Sequence, residues 1–264
     1  MRNTLALCGK ELRIYFTTWT SYVLFASFLL ISAFFFQRLV IEYQFRTMQF
    51  MQMRDEATLA AMNLTDWVMA PLLMNMTVFF LFMLPILSMR LLSEERRQKT
   101  LELLLTCPCR PTEIVLGKFF AGTAVMLTML GLTLLFPALL HAFGAQPGQS
   151  APIDWNTVAT GYFGMALLGT AFVAVGTFTS SLSESQVVSV LISFATLLMF
   201  YVIGLAARGQ EGAWQQVLQY LSINSHLEGF LRGMIRLSDA VYFLSVTVVA
   251  LFFCQRIIEA ERWR

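Results

Sequence analysis

Scanned for charge alone, the chain breaks into long apolar runs punctuated by Arg, Lys, Asp and Glu. Residues 14–37 contain none of the four, with Arg13 before them and Arg38 after. A hydrocarbon core about 30 Å thick takes about 20 apolar residues in a helix, so this run predicts a first membrane span over 20–37. The same test predicts spans over 67–89, 115–142, 156–181, 187–207 and 237–258, with Lys118 close to the start of the third. The last is free of charge only over 240–255 and reaches full length with Arg256 stretched to the interface.

The segments between the spans carry their own pattern. Residues 5–19 mix apolar side chains with Lys10, Glu11 and Arg13, which predicts an amphipathic helix on the cytoplasmic surface. No small-residue cleavage signature follows, so the first helix is expected to be retained. Residues 210–236 are too charged to span and too apolar to float free. They predict an external re-entrant hairpin of two short helices, with Asn224 and Ser225 at the break. Pro71 falls in the first turn of the second span, where a missing N–H is harmless, whereas Pro85 lies deep enough to kink it. Gly161, Gly164, Gly169 and Gly176 line the fourth span and allow close backbone approach, either within one chain or at a dimer seam.

Composition agrees with a membrane setting. Hydrophobic residues make up 57% and charged residues 13%, half the charged share of an ordinary soluble domain, and mean hydropathy is +0.66. The expected fold is therefore an all-α integral membrane protein. It is one transmembrane domain over 1–264, with six transmembrane helices, an N-terminal interfacial helix, a cytoplasmic loop over 90–118 and the external hairpin. Placing both termini inside puts 12 of the 18 Lys and Arg residues on the cytoplasmic side, as the positive-inside rule asks. On that topology Cys8, Cys107, Cys109 and Cys254 lie on or near the cytoplasmic side and are read as reduced thiols. Cys107 and Cys109 form a C-x-C with no second pair of ligands beside it, and inert thiols are preferred over a metal site. Met48, Met51, Met53 and Met62 offer thioethers of the kind that hold Cu(I), but packing is the preferred role. His141, near the far end of the third span, is read as an interfacial histidine before a ligand.

The densest charged stretch, EERRQKTLELLLTCPCRPTEIVLGK over 94–118, sits in the loop between the second and third spans. Glu95 and Lys99 are four apart, as are Gln98 and Glu102, so a helical face with ion-pair support is available. Leu101, Leu104 and Leu105 share the other face and must be buried in headgroups, a neighbouring helix or a partner's groove. Pro108 and Pro111 stop that helix.

This stretch resembles the signature loop of ABC-2 type transporter permeases, matching at Glu94, Glu95, Thr100, Leu101, Glu102, Leu104, Leu105, Thr106, Pro108, Leu116, Gly117 and Lys118. Lys99 stands where that family usually has Gly, which suggests a more regularly helical loop here. A second stretch, 220–245, resembles the external hairpin and last helix of the branch found in gliding-motility and nitrous-oxide-reductase accessory transporters. His226, Glu228, Phe230, Arg232, Gly233, Asp239, Tyr242 and Phe243 carry that likeness.

The resemblance implies a permease subunit in a bacterial inner membrane that couples ATP hydrolysis by a separate cytoplasmic ATPase subunit to export of a substrate. It implies pairing with a second permease subunit, alike or related, and leaves room for a periplasmic accessory protein besides lipid; nucleic acid is not an expected partner. Glu94, Glu95, Arg97, Thr100, Leu101, Glu102, Leu104, Pro108 and Lys118 become the candidate ATPase-coupling residues, and His226, Glu228, Arg232 and Asp239 the candidate hairpin residues. Of the last group, His226, Glu228 and Arg232 either line an exit or clasp each other within the headgroup layer, the second being preferred. ATP and Mg belong to the partner, since Gly117-Lys118 has Thr112 where a phosphate-binding loop needs its first glycine. No catalytic residue, metal site or bound cofactor is assigned to this chain. Two rival classes stay open: a membrane anchor that drives an envelope or motility machine without moving solute, and an ion-coupled secondary transporter. The second of these lacks a charge at mid-membrane and an internal repeat.

Overall fold

A computed structural model describes residues 2–53, 63–100, 110–144, 153–206 and 213–261. These residues are helical throughout apart from short turns, and six of their helical segments are long and apolar enough to cross a membrane. In chain order the helices are α1 (Arg2–Thr17), α2 (Trp19–Met53), a π turn (Thr65–Met69), α3 (Ala70–Ser88) and α4 (Ser93–Arg97). There follow α5 (Pro111–Leu132), α6 (Leu135–Phe143), α7 (Trp155–Ser180), α8 (Gln186–Ala206), α9 (Ala213–Leu221), α10 (Ile223–Leu231) and α11 (Leu237–Glu261).

Helix boundaries follow from capping and proline chemistry. Asp154 accepts the Asn156 N–H at 3.0 Å and the Thr157 hydroxyl at 2.6 Å, which fixes the start of α7. Those two bonds, the hydroxyl first, hold the Asp154 carboxyl below the usual range, so this cap stays in place until pH falls through that lowered value. The Arg110 N–H donates to the Glu113 carboxylate at 3.2 Å, with Pro111 as the first residue of α5. Pro71 would clash with the carbonyl four residues back, and the chain widens before it into the π turn, where the Ala70 N–H reaches Thr65 O. α3 remains helical through Pro85.

Two expectations are corrected. The third apolar stretch is not one helix: Pro137 cannot donate to Thr133 O, and the helix breaks at residues 133–134 between α5 and α6. The Thr133 carbonyl, denied its partner four residues on, accepts the Phe136 N–H at 3.0 Å and the Tyr162 hydroxyl of α7 at 2.9 Å, so the break is satisfied without water. In the hairpin the break between α9 and α10 falls at Ser222, not at Asn224 and Ser225, which lie in the first turn of α10. Ser225 Oγ closes that turn by donating to Gln219 O at 2.6 Å and Ser222 O at 2.8 Å.

α7 is the central helix and packs against α3, α5, α8, α10 and α11. Its small residues receive the neighbours. A methyl group placed on Gly176 would fall 1.8 Å from Ser88 Oγ of α3, and one on Gly164 would fall 2.6 Å from Phe230 of α10. Gly161 takes Leu73 and Gly169 takes Met126 in the same way, so the glycine stripe is filled from within the chain. α1 is a separate helix, joined to α2 through Thr18 and laid along α5. α2 is the least enclosed span together with α8. Its 35 residues give a length of about 52 Å at 1.5 Å per residue.

Gly176→Ala is expected to push α3 away and destabilise the bundle by roughly 1–3 kcal/mol, the cost of an overpacked core site. Gly131, with open space around it, is the control: Gly131→Ala leaves stability unchanged or slightly raised. Thermal unfolding of the two variants in detergent, followed by loss of the monodisperse gel-filtration peak, measures the difference.

Candidate functional site

The polar end of the bundle gathers α1, the turn after α3, α4, the first turns of α5 and the ends of α7 and α11. Lys118 lies about two turns into α5 with only 1% of its side chain exposed. Its Nζ sits 2.8 Å from Glu11 Oε1 of α1 and 2.9 Å from Glu95 Oε1 of α4. Lys10 Nζ approaches the same Glu95 oxygen at 3.8 Å, so two carboxylates and two ammonium groups balance. Such a buried pair is held by geometry more than it adds stability, and removing one partner leaves the other charge stranded. Gly117 permits the arrangement, since a methyl there would fall 2.9 Å from Leu7 Cβ of α1.

α4 is fastened at its other side too. Ser180, the last residue of α7, accepts the Leu92 and Ser93 N–H groups, each at 3.0 Å, and donates to Met89 O at 2.8 Å. One hydroxyl thus satisfies the turn that opens α4. Arg96 pairs with Glu261 of α11. Arg90 donates to Glu94 at 3.2 Å and to Thr20 at 2.9 Å. The Tyr15 hydroxyl donates to Leu87 O at 2.7 Å, and burial first, Glu11 second, drives its pKa up so that it stays a donor. Asn3 of α1 reaches the Glu113 carboxylate of α5 at 3.2 Å.

The candidate coupling residues separate on this frame. Glu95 and Lys118 point inward to each other, and Thr100, partly buried, donates to Glu95 O at 3.3 Å. Glu94 is partly exposed between Arg90 and Gln98, and Arg97 is exposed. Leu101, Glu102, Leu104 and Pro108 lie outside the described residues, as do Cys107 and Cys109. The Glu95–Lys99 pairing and the more regularly helical turn expected around Lys99 are both corrected. α4 ends at Arg97, Glu95 is taken by Lys118, and Lys99 adopts a left-handed backbone with φ 56°. Lys99 thus occupies the position just beyond a helix end that favours glycine, as Gly233 does with φ 78° after α10.

At the opposite end, His226 Nδ1 lies 2.8 Å from Asp239 Oδ1 of α11 and Nε2 lies 2.9 Å from Tyr220 O of α9. The imidazole stacks on Tyr242 at 4.1 Å, and the Tyr242 hydroxyl donates to Leu221 O at 2.8 Å. Both ring nitrogens face an acceptor, so a proton on either one ties α10 to a different neighbour. Glu228 and Arg232 pair with each other on the exposed side of α10, apart from His226. His141 meets Trp155 edge to face at 5.5 Å. Glu11, Ser180 and Tyr15 were not singled out from the sequence as site residues. Their partners are 72 to 107 residues away, and a lone acid, Glu11, within the amphipathic N-terminal segment was the only local signal.

Among the described residues no group of three His, Cys, Asp or Glu side chains is arranged to hold a metal ion. Six apolar spans closed at both ends by paired charges and short helices define a multi-pass membrane protein. The family model described as ABC-2 family transporter protein matches residues 65–254. That stretch is well over half of the chain, and the chain belongs to this family, as a permease component of an ABC transporter. Comparison with curated proteins finds no match.

Lys118→Met is expected to strand Glu11 and Glu95 and destabilise the protein by roughly 3–5 kcal/mol. Adding Glu11→Gln and Glu95→Gln to it recovers most of the loss in thermal unfolding. Lys99→Gly, relieving the left-handed backbone, is expected to stabilise by about 1 kcal/mol in the same assay.

Proposed function

We propose that the chain is the exporting permease of an ATP-driven transporter, with α1, α4 and both chain ends on the cytoplasmic side of a bacterial inner membrane. A separate ATPase, loaded with ATP and Mg, grips the loop that starts at α4. The observation that carries this reading is the way α4 is fastened. Lys118 links it to α1 and α5, Arg96 to α11, and Ser180 to α7. A force on α4 is therefore shared by several spans at once. Glu94, Gln98 and Lys99 keep exposure for docking, while Glu95 and Lys118 pass the load inward. α1, with Leu5, Phe16 and the following Trp19 exposed, lies in the headgroup layer. A second permease subunit completes the path.

In this scheme Leu101 and Leu104 anchor the ATPase, each contributing about 1.5–3 kcal/mol on burial. Leu101→Asp is expected to weaken ATPase co-purification by at least tenfold, a loss of about 1.4 kcal/mol, and to abolish stimulated ATP hydrolysis. Co-purification and stimulation at wild-type levels in this variant would remove the loop from the docking surface.

A further inference from the structure

A cleft of about 440 Å³ opens where α1 turns into α2, beside α3, α5 and the start of α8. Its mouth carries Arg90, Arg97 and Gln186, and its inner wall is made by Leu24, Phe25 and Val125. The volume suits a headgroup and the first part of one chain. The polar and apolar halves face in the order that a phospholipid presents them. Glu94 also borders the mouth and takes Arg90 Nε, leaving one positive charge in excess among the lining residues. Among the described residues Arg90 Nη2 has no hydrogen-bond partner and Arg97 makes no ion pair. In the same first turn of α2 that supplies Thr20 and Ser21 to the cleft, Trp19 is 79% exposed and Tyr22 51% exposed. Such side chains settle at the level of lipid headgroups.

We propose that this cleft seats one anionic glycerophospholipid, its phosphate held by Arg90 and Arg97 and one acyl chain lying along Leu24, Phe25 and Val125. An uncharged or zwitterionic headgroup leaves the excess charge unmatched, and a solute without a chain leaves the apolar wall bare. The inference rests on the membrane-spanning fold and not on the identity of the ATPase, and its test reads lipid and not hydrolysis.

The full-length chain, stripped of lipid in detergent, is titrated with phosphatidylglycerol or phosphatidylcholine of matched acyl chains, and bound lipid is counted by native mass spectrometry. One phosphatidylglycerol is expected to be retained in preference to phosphatidylcholine. Arg97→Gln, at an exposed position, lowers that retention about fivefold, the weight of one basic side chain against an anionic surface. Leu24→Trp fills the chain seat and lowers retention of both lipids. Equal retention of the two lipids, or an unchanged preference in Arg97→Gln, overturns the proposal. Full displacement of phosphatidylglycerol by inorganic phosphate overturns it as well, making the cleft a site for the free anion.

Discussion

Close approach along α7 is the constraint on which the remaining structure depends. Between helices in lipid there is no hydrophobic drive, so association relies on dense packing and on hydrogen bonds that have no better alternative. α7 provides both. Its glycines admit Ser88, Met126, Leu73 and Phe230 against its backbone, and its terminal Ser180 closes the turn between α3 and α4. The same helix therefore sets the spacing of the spans and the placement of the polar end. Tyr162 extends that role to the far half, where its hydroxyl gives a second donor to the Thr133 carbonyl at the turn that Pro137 imposes.

The two ends of the bundle solve one electrostatic problem in different ways. At one, a fully enclosed ammonium group draws in carboxylates from two short helices, and α1 and α4 become part of the α5 framework. At the other, an imidazole between an acid and a carbonyl holds the hairpin against α11, while Glu228 and Arg232 remain in contact with solvent. In both cases one set of candidate ionisable groups is engaged inside the fold, and a second set, Glu94 with Arg90 and Glu228 with Arg232, pairs at the surface.

The number of spans was legible because charges separate the apolar runs, though the helices do not stop at those charges: α2 continues through Arg38 to Met53. The break after α5 was not, because Pro137 alone does not say whether its helix bends or divides, and the decision lies with Tyr162 on another element. Ser222 was passed over for Asn224 and Ser225, all three being good capping residues. What selects Ser222 is the space that Gly204 leaves for its hydroxyl, a tertiary fact. Lys99 misled in the opposite direction, since a good helix former stands at a position whose backbone is left-handed. Of the candidate coupling residues, family likeness marked the loop, but nothing local told Glu95 from Glu94. Only Lys118, folded back from α5, divides one inward acid from one outward acid.

α2 is much longer than a membrane requires. At about 52 Å against a core of about 30 Å, even a 40° tilt brings its vertical extent to only about 40 Å. Its distal turns, where Phe45 and Met48 are exposed, therefore rise clear of the hydrocarbon. Those turns do not stand alone: Tyr43 is buried and Arg46 covers the Trp67 ring at 5.2 Å, so the overhang acts as a buttress for the π turn that opens α3.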